Sequence, residues 1–236
     1  MRGATPTYWR CCPTRLQATV HAFLETIPEP LKTTIRRVCI DLWEGYAGAV
    51  TAALPNAQIV VDRFHVAVQY REVVDEVRKQ ECGRINAGRP ADQALPTAKL
   101  RPLVRREWPS LTPTEQGQLV ELFEQTPTLA SAYILRTTLT AIFECTPDRA
   151  TAQARIEAWS ARVKASGLSG FDKFLNTLDH WKDGILNYFE GGYNSGFVEG
   201  LNNKLKLLKR RCFGLDDPVE LFRRLWLDLE GPRLWA

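Results

Sequence analysis

Three carboxylates of this chain stand where divalent-metal chemistry could be built. Asp41 closes a β-branched run, Asp62 closes a second apolar run, and Glu199 lies near the start of a basic segment. Acids at adjoining strand ends, joined by an acid from a helix packed on the same sheet, can hold Mg²⁺, which prefers hard oxygen ligands. Two such ions about 4 Å apart activate a water or hydroxyl and stabilise the leaving oxygen of a phosphodiester. The three acids therefore fit the chemistry of a nuclease.

Each acid also has a purely structural interpretation. Asp41 could cap the N-terminus of the helix that follows it, and Asp62 could begin the helix that runs from Val66. Glu199 could be a surface glutamate near a helix start, where the helix dipole favours acids. At the level of sequence these alternatives stay open.

A cluster of cations follows Glu199. Between residues 204 and 211 five of eight side chains are basic and none is acidic: Lys204, Lys206, Lys209, Arg210 and Arg211. Phosphates would respond to such a local field. At about 100° per residue, one helix face carries Glu199, Asn203, Lys206 and Arg210. Another face is apolar and is expected to pack on the sheet: Val198, Leu201, Leu205, Leu208 and Cys212. The alternative for the cations is an ordinary solvated helix face.

The elements that must position these acids form a βαβ pattern. Residues 35–43 (IRRVCIDLW) and 58–61 (QIVV) are predicted to be buried strands, and the alanine-rich segment 46–54 between them a helix. Short links make the two strands parallel, and open α/β sheets build their sites in the crevice at the carboxyl ends of such strands. Asp41 and Asp62 both fall at that edge.

Helical patterns dominate the rest of the chain. A helix is predicted from Val66 to about Gln80, with Asp75 and Arg78 on its polar side, before a linker or flexible loop over 83–102. Residues 103–185 are predicted to be all-helical, with a capping box at Thr112 and Glu115 and a second start of the same kind at Thr146. The predicted helices beyond the linker cover 112–124, 129–143, 146–166 and 171–189. The basic helix runs over 197–212 and ends before Gly214.

Composition excludes several classes of protein. With 236 residues, 44% hydrophobic and 25% charged, the chain can bury a core and is neither a disordered tail nor a fibre. Its apolar runs are shorter than the about 20 residues of a membrane span, and residues 1–10 lack the apolar stretch of a secretory signal. We therefore expect a soluble protein that is not exported. Six cysteines without C-x-x-C spacing indicate reduced thiols and no structural zinc.

Several sequence words occur in an order typical of one family. They are DLWEGY (41–46), LPNAQIVVDRFHV (54–66), YREVVDEVRK (70–79) and FVEGLNNKLKLLKRRCFG (197–214). Over roughly residues 22–229 the chain resembles the catalytic region of bacterial insertion-sequence transposases of the ISL-three family, which is similar to the DDE transposases. The resemblance implies an α/β fold, an incomplete ribonuclease-H-like domain made of the βαβ unit and a C-terminal helix, interrupted by an all-α insertion.

The resemblance also implies roles for individual residues. Asp41 matches the second catalytic acid and Glu199 the third, both as ligands of Mg²⁺ or Mn²⁺. Asp62 and His65 match a D-x-x-H word, in which an acid and an imidazole could orient a metal ligand or shape DNA near the cut. The residues expected to contact DNA are Asn203, Lys206, Lys209, Arg210 and Arg211. The implied partners are the element ends and target DNA, with a second copy or full-length transposase as further candidates, in the bacterial cytoplasm at the nucleoid and away from membranes.

The departure from the family pattern concerns the N-terminal part. The family carries a first aspartate on an upstream strand, after a zinc-binding and helix-turn-helix region, whereas residues 1–16 here contain no acid. We therefore expect a truncated or late-started chain with four parts: an off-pattern segment 1–16, a first catalytic part 17–82, a linker and helical insertion 83–185, and a C-terminal catalytic part 186–236.

Two functions follow from this resemblance and this departure. The leading interpretation is a DDE-type transposase catalytic region, for metal-dependent DNA strand cleavage and strand transfer, that is inactive as it stands. The alternative is a non-catalytic remnant that binds DNA or associates with transposase.

Overall fold

The computed structural model describes residues 16–193, 196–215 and 217–234, which form a mostly helical α/β structure with one small parallel sheet. The sheet pairs β1 (Arg37–Ile40) with β2 (Gln58–Val61). The helices are α1 (Gln17–Glu25), α2 (Glu29–Lys32), α3 (Glu44–Ala53), α4 (Arg63–Asn86), α5 (Thr97–Arg105), α6 (Pro113–Gln125), α7 (Pro127–Cys145), α8 (Arg149–Ser166), α9 (Asp172–His180), α10 (Lys182–Asn187), α11 (Gly196–Arg211) and α12 (Pro218–Leu234).

The βαβ unit forms around a well-buried second strand. β2 has the predicted bounds, and Val60 and Val61 at its end are fully buried. β1 is shorter than the predicted 35–43, because it begins at Arg37 and residues 41–43 leave the sheet as a loop that leads into α3; Ile40 is its one buried residue. Helix α1 packs against α3, where a side chain at Gly48 would collide with Gln17. The unit thus places Asp41 directly after β1.

The predicted linker over 83–102 is wrong for half of its length. Helix α4 continues to Asn86, and α5 occupies much of the remainder, so that only residues 87–96 connect the two helices. The Asn86 side chain holds this connection from both sides, because its amide donates to the Leu95 carbonyl at 3.2 Å and its oxygen accepts from the Leu95 N–H at 2.7 Å. Helix α5 packs on α4 and buries Leu100, Leu103 and Val104.

Residues 103–185 consist of helices and turns without a strand, as predicted. The capping box at the start of α6 is present: Thr112 Oγ1 accepts from the Glu115 N–H, and the Glu115 carboxylate accepts from the Thr112 N–H. Such reciprocal bonds satisfy two backbone donors that the first turn of a helix leaves without partners.

Two details of this helical stretch differ from the prediction. The cap of α8 is Asp148 and not Thr146, because the helix begins at Arg149 and the Asp148 carboxylate accepts from the Thr151 N–H at 2.8 Å. The single helix predicted over 171–189 is divided into α9 and α10, which a break at Trp181 separates.

The core of the helical stretch is built on α7. Helices α4 and α8 both pack against it. Trp159 of α8 is 1% exposed and donates its indole N–H to the Leu135 carbonyl of α7 at 2.8 Å. Phe171 and Phe174 meet the Trp159 ring edge to face. A large aromatic side chain with a satisfied donor therefore joins three helices and the turn before α9.

The contacts divide the described chain into two units. One unit combines the residues up to 59 with those from 194 onward, and the other comprises residues 60–193. In the first, α11 and α12 pack against each other, and in the second, α4, α6 and α8 pack against α7. Across the described ranges, none of the helices is long and apolar enough to cross a membrane.

The described cysteines are thiols that form no disulfide: Cys39, Cys82, Cys145 and Cys212. Cys82 on α4 is 0% exposed, and this burial raises the pKa of its thiol. Cys145, at the end of α7, is exposed. Cys11 and Cys12 lie outside the described residues.

Candidate active site and nucleic-acid interface

Asp41 lies in the three-residue loop between β1 and α3, at the carboxyl end of the strand. The residue is half-buried. It does not cap α3, because the N-cap position belongs to Trp43 and this helix end has no side-chain cap. Asp41 is therefore not the N-cap residue of α3, which was the structural alternative. Its carboxylate stands at the edge where parallel sheets build their sites.

An aromatic contact holds the loop that carries Asp41. The Trp43 and Tyr46 rings meet edge to face with their centroids 4.6 Å apart. Gly45 makes this arrangement possible, since a Cβ at that position would overlap the Trp43 indole. The glycine thus lets the loop fold back onto the first turn of α3 and fixes the path of the chain after Asp41.

Asp62 caps α4. The residue is 3% exposed, and its Oδ1 accepts the Phe64 N–H at 3.0 Å. The interpretation of Asp62 as a helix cap is therefore confirmed, although the helix begins at Arg63 and not at Val66. His65 is half-buried in the first turn of α4. The D-x-x-H word is thus one turn of helix in which the backbone already uses one oxygen of the acid.

Helix α11 carries the predicted basic face. The residues predicted to contact DNA are all exposed: Asn203, Lys206, Lys209, Arg210 and Arg211. Glu199 belongs to the same helix, and its side chain lies outside the described part of the structure. The convergence of Asp41 and Glu199 on one metal stays a prediction.

The position of some α11 cations at the C-terminus of the helix has a structural explanation. Phe213 and Gly214 have φ angles of 54° and 81°, and the Gly214 N–H donates to the Lys209 carbonyl at 2.9 Å. The cations of the last turn suit the negative end of the helix dipole. Lys206 lies before that turn, so the dipole does not explain its place on the face.

The packing partner of α11 in the described ranges is α12, whereas the sequence predicted the sheet. Leu208 of α11 and Leu225 of α12 are buried. Lys204 forms an ion pair with Asp228 of α12 at 2.6 Å. Lys204 is therefore engaged in holding the helix pair, and the DNA-facing prediction rests on the other cations.

The described side chains offer few oxygen donors for a metal. No group of three or more His, Cys, Asp or Glu side chains that could hold an ion occurs among them. One oxygen of Asp62 is engaged by the Phe64 N–H. The carboxylate of Asp41 has the donor chemistry that a hard divalent cation requires. Glu199 is the second ligand to which the resemblance points.

A buried ion-pair network on α4 was not predicted. Asp75 and Arg78 were assigned to the polar side of this helix, but they are 6% and 4% exposed. They are buried because α5 packs across α4 and brings Arg101 and Arg105 to the same carboxylate. Asp75 Oδ1 lies 2.9 Å from Arg78 Nε, and Oδ2 lies 3.1 Å from Arg101 Nε and 3.3 Å from Arg105 Nη2.

The three arginines set the charge state of Asp75. Burial by itself raises the pKa of this carboxyl, but the adjacent guanidinium groups outweigh burial and hold the pKa below its ordinary value. A signal for this network exists in the sequence: from Gln93 to Arg106 there are four cations and no acid.

Comparison with known proteins shows which family of sequences this chain matches. Residues 4–225 match the sequence model of a family described as transposase, of the DDE class and the ISL-three group. The match begins upstream of residue 22, where we placed the start of the resemblance. No solved structure matches the chain.

Two curated relatives match nearly the whole chain. It is 32% identical over 215 residues to the transposase for insertion sequence element IS1001 of Bordetella parapertussis, which covers 90% of this chain and 52% of the relative. It is 23% identical over 236 residues to the transposase for insertion sequence element IS1557 of Mycobacterium tuberculosis, which covers 92% of this chain and 53% of the relative. The chain therefore spans about half the length of these relatives.

Proposed function

Because this chain belongs to the ISL-three family of transposases, we propose that it is the catalytic region of an enzyme that cuts and joins DNA. In this proposal the sheet and α11 belong to a ribonuclease-H-like domain, and the helices between them form its all-α insertion. Asp41 and Glu199 are the second and third catalytic acids and the ligands of Mg²⁺ or Mn²⁺. The substrates are the element ends and the target DNA.

The position of Asp41 is the observation that carries this proposal. The residue directly follows β1 and is not the cap of the helix after it. Open α/β sheets build their sites at the carboxyl ends of their strands. The resemblance of the DLWEGY word to the family's catalytic region implies a catalytic acid at the same position, so that the fold and the resemblance both support Asp41.

The chain's own groups divide the chemistry between them. A bound divalent metal supplies activation of the attacking hydroxyl and stabilisation of the leaving oxygen. Asp41, after β1, and Glu199, on α11, would hold this ion. The cations of α11 bind the phosphates that flank the scissile bond and position the strand without reading its sequence. Hydrolysis of one phosphodiester leaves a 3′ hydroxyl at the element end. That hydroxyl then attacks a phosphodiester of the target, forms a new P–O bond and displaces the target's own 3′ oxygen, which leaves as a hydroxyl.

We further propose that these 236 residues do not cleave DNA by themselves. The family uses three acids, and the sequence supplies matches for two of them. A metal that lacks one ligand is weakly held and stabilises the attacking or the leaving oxygen but not both. Asp62 is the acid that could substitute, and its use as the cap of α4 argues against that role.

The test is nicking of a duplex that carries the element ends, in the presence of Mg²⁺ or Mn²⁺. We expect no nicking by the chain alone. Nicking that disappears in both the Glu199→Gln and the Asp62→Asn variants would contradict this expectation and identify Asp62 as the third ligand. Nicking that survives in Glu199→Gln would come from a contaminating nuclease.

The alternative function is a non-catalytic remnant that binds DNA or associates with transposase. The exposed cations of α11 favour it, because they bind phosphate without a metal. The two functions differ in their dependence on metal. A catalytic region binds Mn²⁺ through Asp41 and Glu199, whereas a remnant binds DNA equally well with Mn²⁺ or with EDTA and does not respond to Asp41→Asn.

A further inference from the structure

The Asp75 network borders a cavity of about 560 Å³ within the helical unit of residues 60–193. Its walls come from α4, from α5 and from the segment around the start of α9. Nothing in the catalytic proposal uses this cavity. Its chemistry can be derived from the side chains that line it.

The charges around the cavity favour an anion. Four cations line it, namely Lys79, Arg101, Arg105 and Lys173, against the carboxylates of Glu72, Asp75 and Glu76. Two of these carboxylates are already matched, since Asp75 pairs with the buried Arg78 at 2.9 Å and Glu76 pairs with Lys79 at 3.2 Å. Glu72 is then the one remaining acid of the lining, against the three cations Arg101, Arg105 and Lys173.

The two arginines of α5 are oriented before any ligand arrives. Arg101 and Arg105 lie one helical turn apart, and both reach the same oxygen of Asp75. Each donates one hydrogen bond to that carboxylate, from Nε of Arg101 and from Nη2 of Arg105. A guanidinium has five N–H donors, and the two side chains are 52% and 42% exposed. Most of their donors therefore remain for a ligand, in a direction that the buried Asp75 fixes.

We propose that this cavity binds phosphate oxyanions and that their source is the DNA backbone, so that the helical insertion makes a DNA contact of its own. The inference rests on the proposed function in one respect, that the substrate is DNA. Planar guanidinium groups match phosphate oxygens in pairs. Val73 and Phe174 supply an apolar floor, which adds no donor or acceptor for a base edge. Asp75 is a positioning residue, because it acts through the arginines.

The test measures duplex binding by the whole chain as a function of salt. The Arg101→Gln and Arg105→Gln double variant should weaken binding to all sequences alike. It should also flatten the slope of log K against log salt by about 2, one for each lost phosphate contact. The matched control is Arg162→Gln with Lys164→Gln, two exposed cations of α8 in the same unit, which should leave the slope unchanged. Because Asp75 keeps its pair with the buried Arg78, the variant is expected to fold.

A second variant separates a built site from diffuse charge. Arg101→Lys with Arg105→Lys keeps the charge but loses the fork of donors. We expect it to bind DNA more weakly than the unsubstituted chain while it retains most of the salt slope. Binding equal to that of the unsubstituted chain would overturn the proposed site.

Two further outcomes distinguish a failure of this inference from a failure of the proposed function. A slope that is unchanged by the glutamine variant but flattened by Lys206→Ala with Arg210→Ala would overturn this inference and leave the proposed function intact. Titration with tripolyphosphate distinguishes the source of the phosphate. The glutamine variant could abolish tripolyphosphate binding and leave DNA binding unchanged. That result would overturn the DNA backbone as the ligand in favour of a free phosphate.

Discussion

Asp41, Asp62 and Asp75 are three aspartates of one chain with three different surroundings. Asp62 accepts a backbone N–H at the start of α4, and Asp75 accepts from three arginines. Both are almost fully buried and hold the fold. Asp41 is half-buried at a strand end and does not cap the helix that follows. Position in the fold therefore separates the ligand candidate from the two structural acids, although all three follow or precede apolar runs in the sequence.

The Asp75 network predicts a pH dependence of stability. Because the pKa of Asp75 is lowered in the folded state, its contribution is present above the unfolded-state pKa and is lost as pH falls through the lower folded-state pKa. At pH 7 we expect Asp75→Asn to lower the free energy of unfolding by about 3 kcal/mol, since Arg78 loses its buried partner.

Urea unfolding at several pH values between 7 and 3 checks this expectation. The difference between Asp75→Asn and the unsubstituted chain should shrink as the pH falls below about 4. Asp92→Asn, at an exposed aspartate, is the control and should show no such trend. A difference that stays constant over the whole range would contradict the assignment.

At the scale of elements, local chemistry determined what could be predicted from sequence. Strand β2 and helix α6 were predictable because valines and a Thr–Glu capping box specify them within a few residues. Helix α5 was missed because Pro96 and Pro102 favour a loop. Its apolar residues repeat at helical spacing, but they are buried through contact with other helices, α4 and α6.

The same distinction applies to the candidate site. The place of Asp41 at a strand end followed from a nearby sequence pattern. The burial of Asp75 did not, because Arg101 and Arg105 lie 26 and 30 residues further along the chain. Long-range pairing of this kind depends on how helices pack, which no local pattern encodes.

The turn between β1 and α3 predicts an asymmetry between two glycines. Gly45→Ala should destabilise the chain by about 1–3 kcal/mol, because the added methyl would displace the Trp43 indole. Gly83→Ala in α4 is the matched control, since a Cβ there meets nothing within 4 Å. Alanine at that exposed helical position should stabilise by about 0.5–1 kcal/mol. Denaturation midpoints measure both, and equal effects of the two changes would refute the packing role of Gly45.

Helix α11 predicts how the chain binds DNA. Replacing Lys206 and Arg210 with Ala should weaken binding to every duplex alike, because under the proposed function these exposed cations would contact phosphates and not bases. The salt slope should flatten by up to about 2. Fluorescence anisotropy on two unrelated duplexes measures both effects, with the Arg162 and Lys164 pair of α8 as control. A loss confined to one duplex would show that the face reads sequence.

At the scale of the whole molecule, residues that are distant in sequence belong to the same structural unit. The unit that contains β1 also contains α11, so Asp41 and Glu199 belong to one unit although most of the chain separates them in sequence. The helices of residues 60–193, which come between these two parts in the sequence, form a unit of their own. This organisation is compatible with a catalytic domain that an insertion interrupts.

A shared metal site predicts non-additive losses. Asp41→Asn and Glu199→Gln should each weaken Mn²⁺ binding, and the double variant should bind no more weakly than the weaker single variant, because either change already dismantles the site. Calorimetric titration with Mn²⁺ measures the four affinities. Glu124→Gln, at an exposed glutamate of α6, should have no effect. Losses that add would mean two separate sites and would remove the two-acid assignment.

The burial of Cys82 makes its reaction with an alkylating reagent a measure of opening of the helical unit. Its thiol is 0% exposed on helix α4, so an alkylating reagent reaches it only when the packing around α4 opens. Cys145 is exposed at the end of α7 and reacts at the rate that the reagent itself sets. The ratio of the two labelling rates reports how often the unit opens in the native state. Because α4 carries both Cys82 and part of the lining of the arginine-lined cavity, a ligand that binds there and stabilises the unit should slow the labelling of Cys82 relative to that of Cys145.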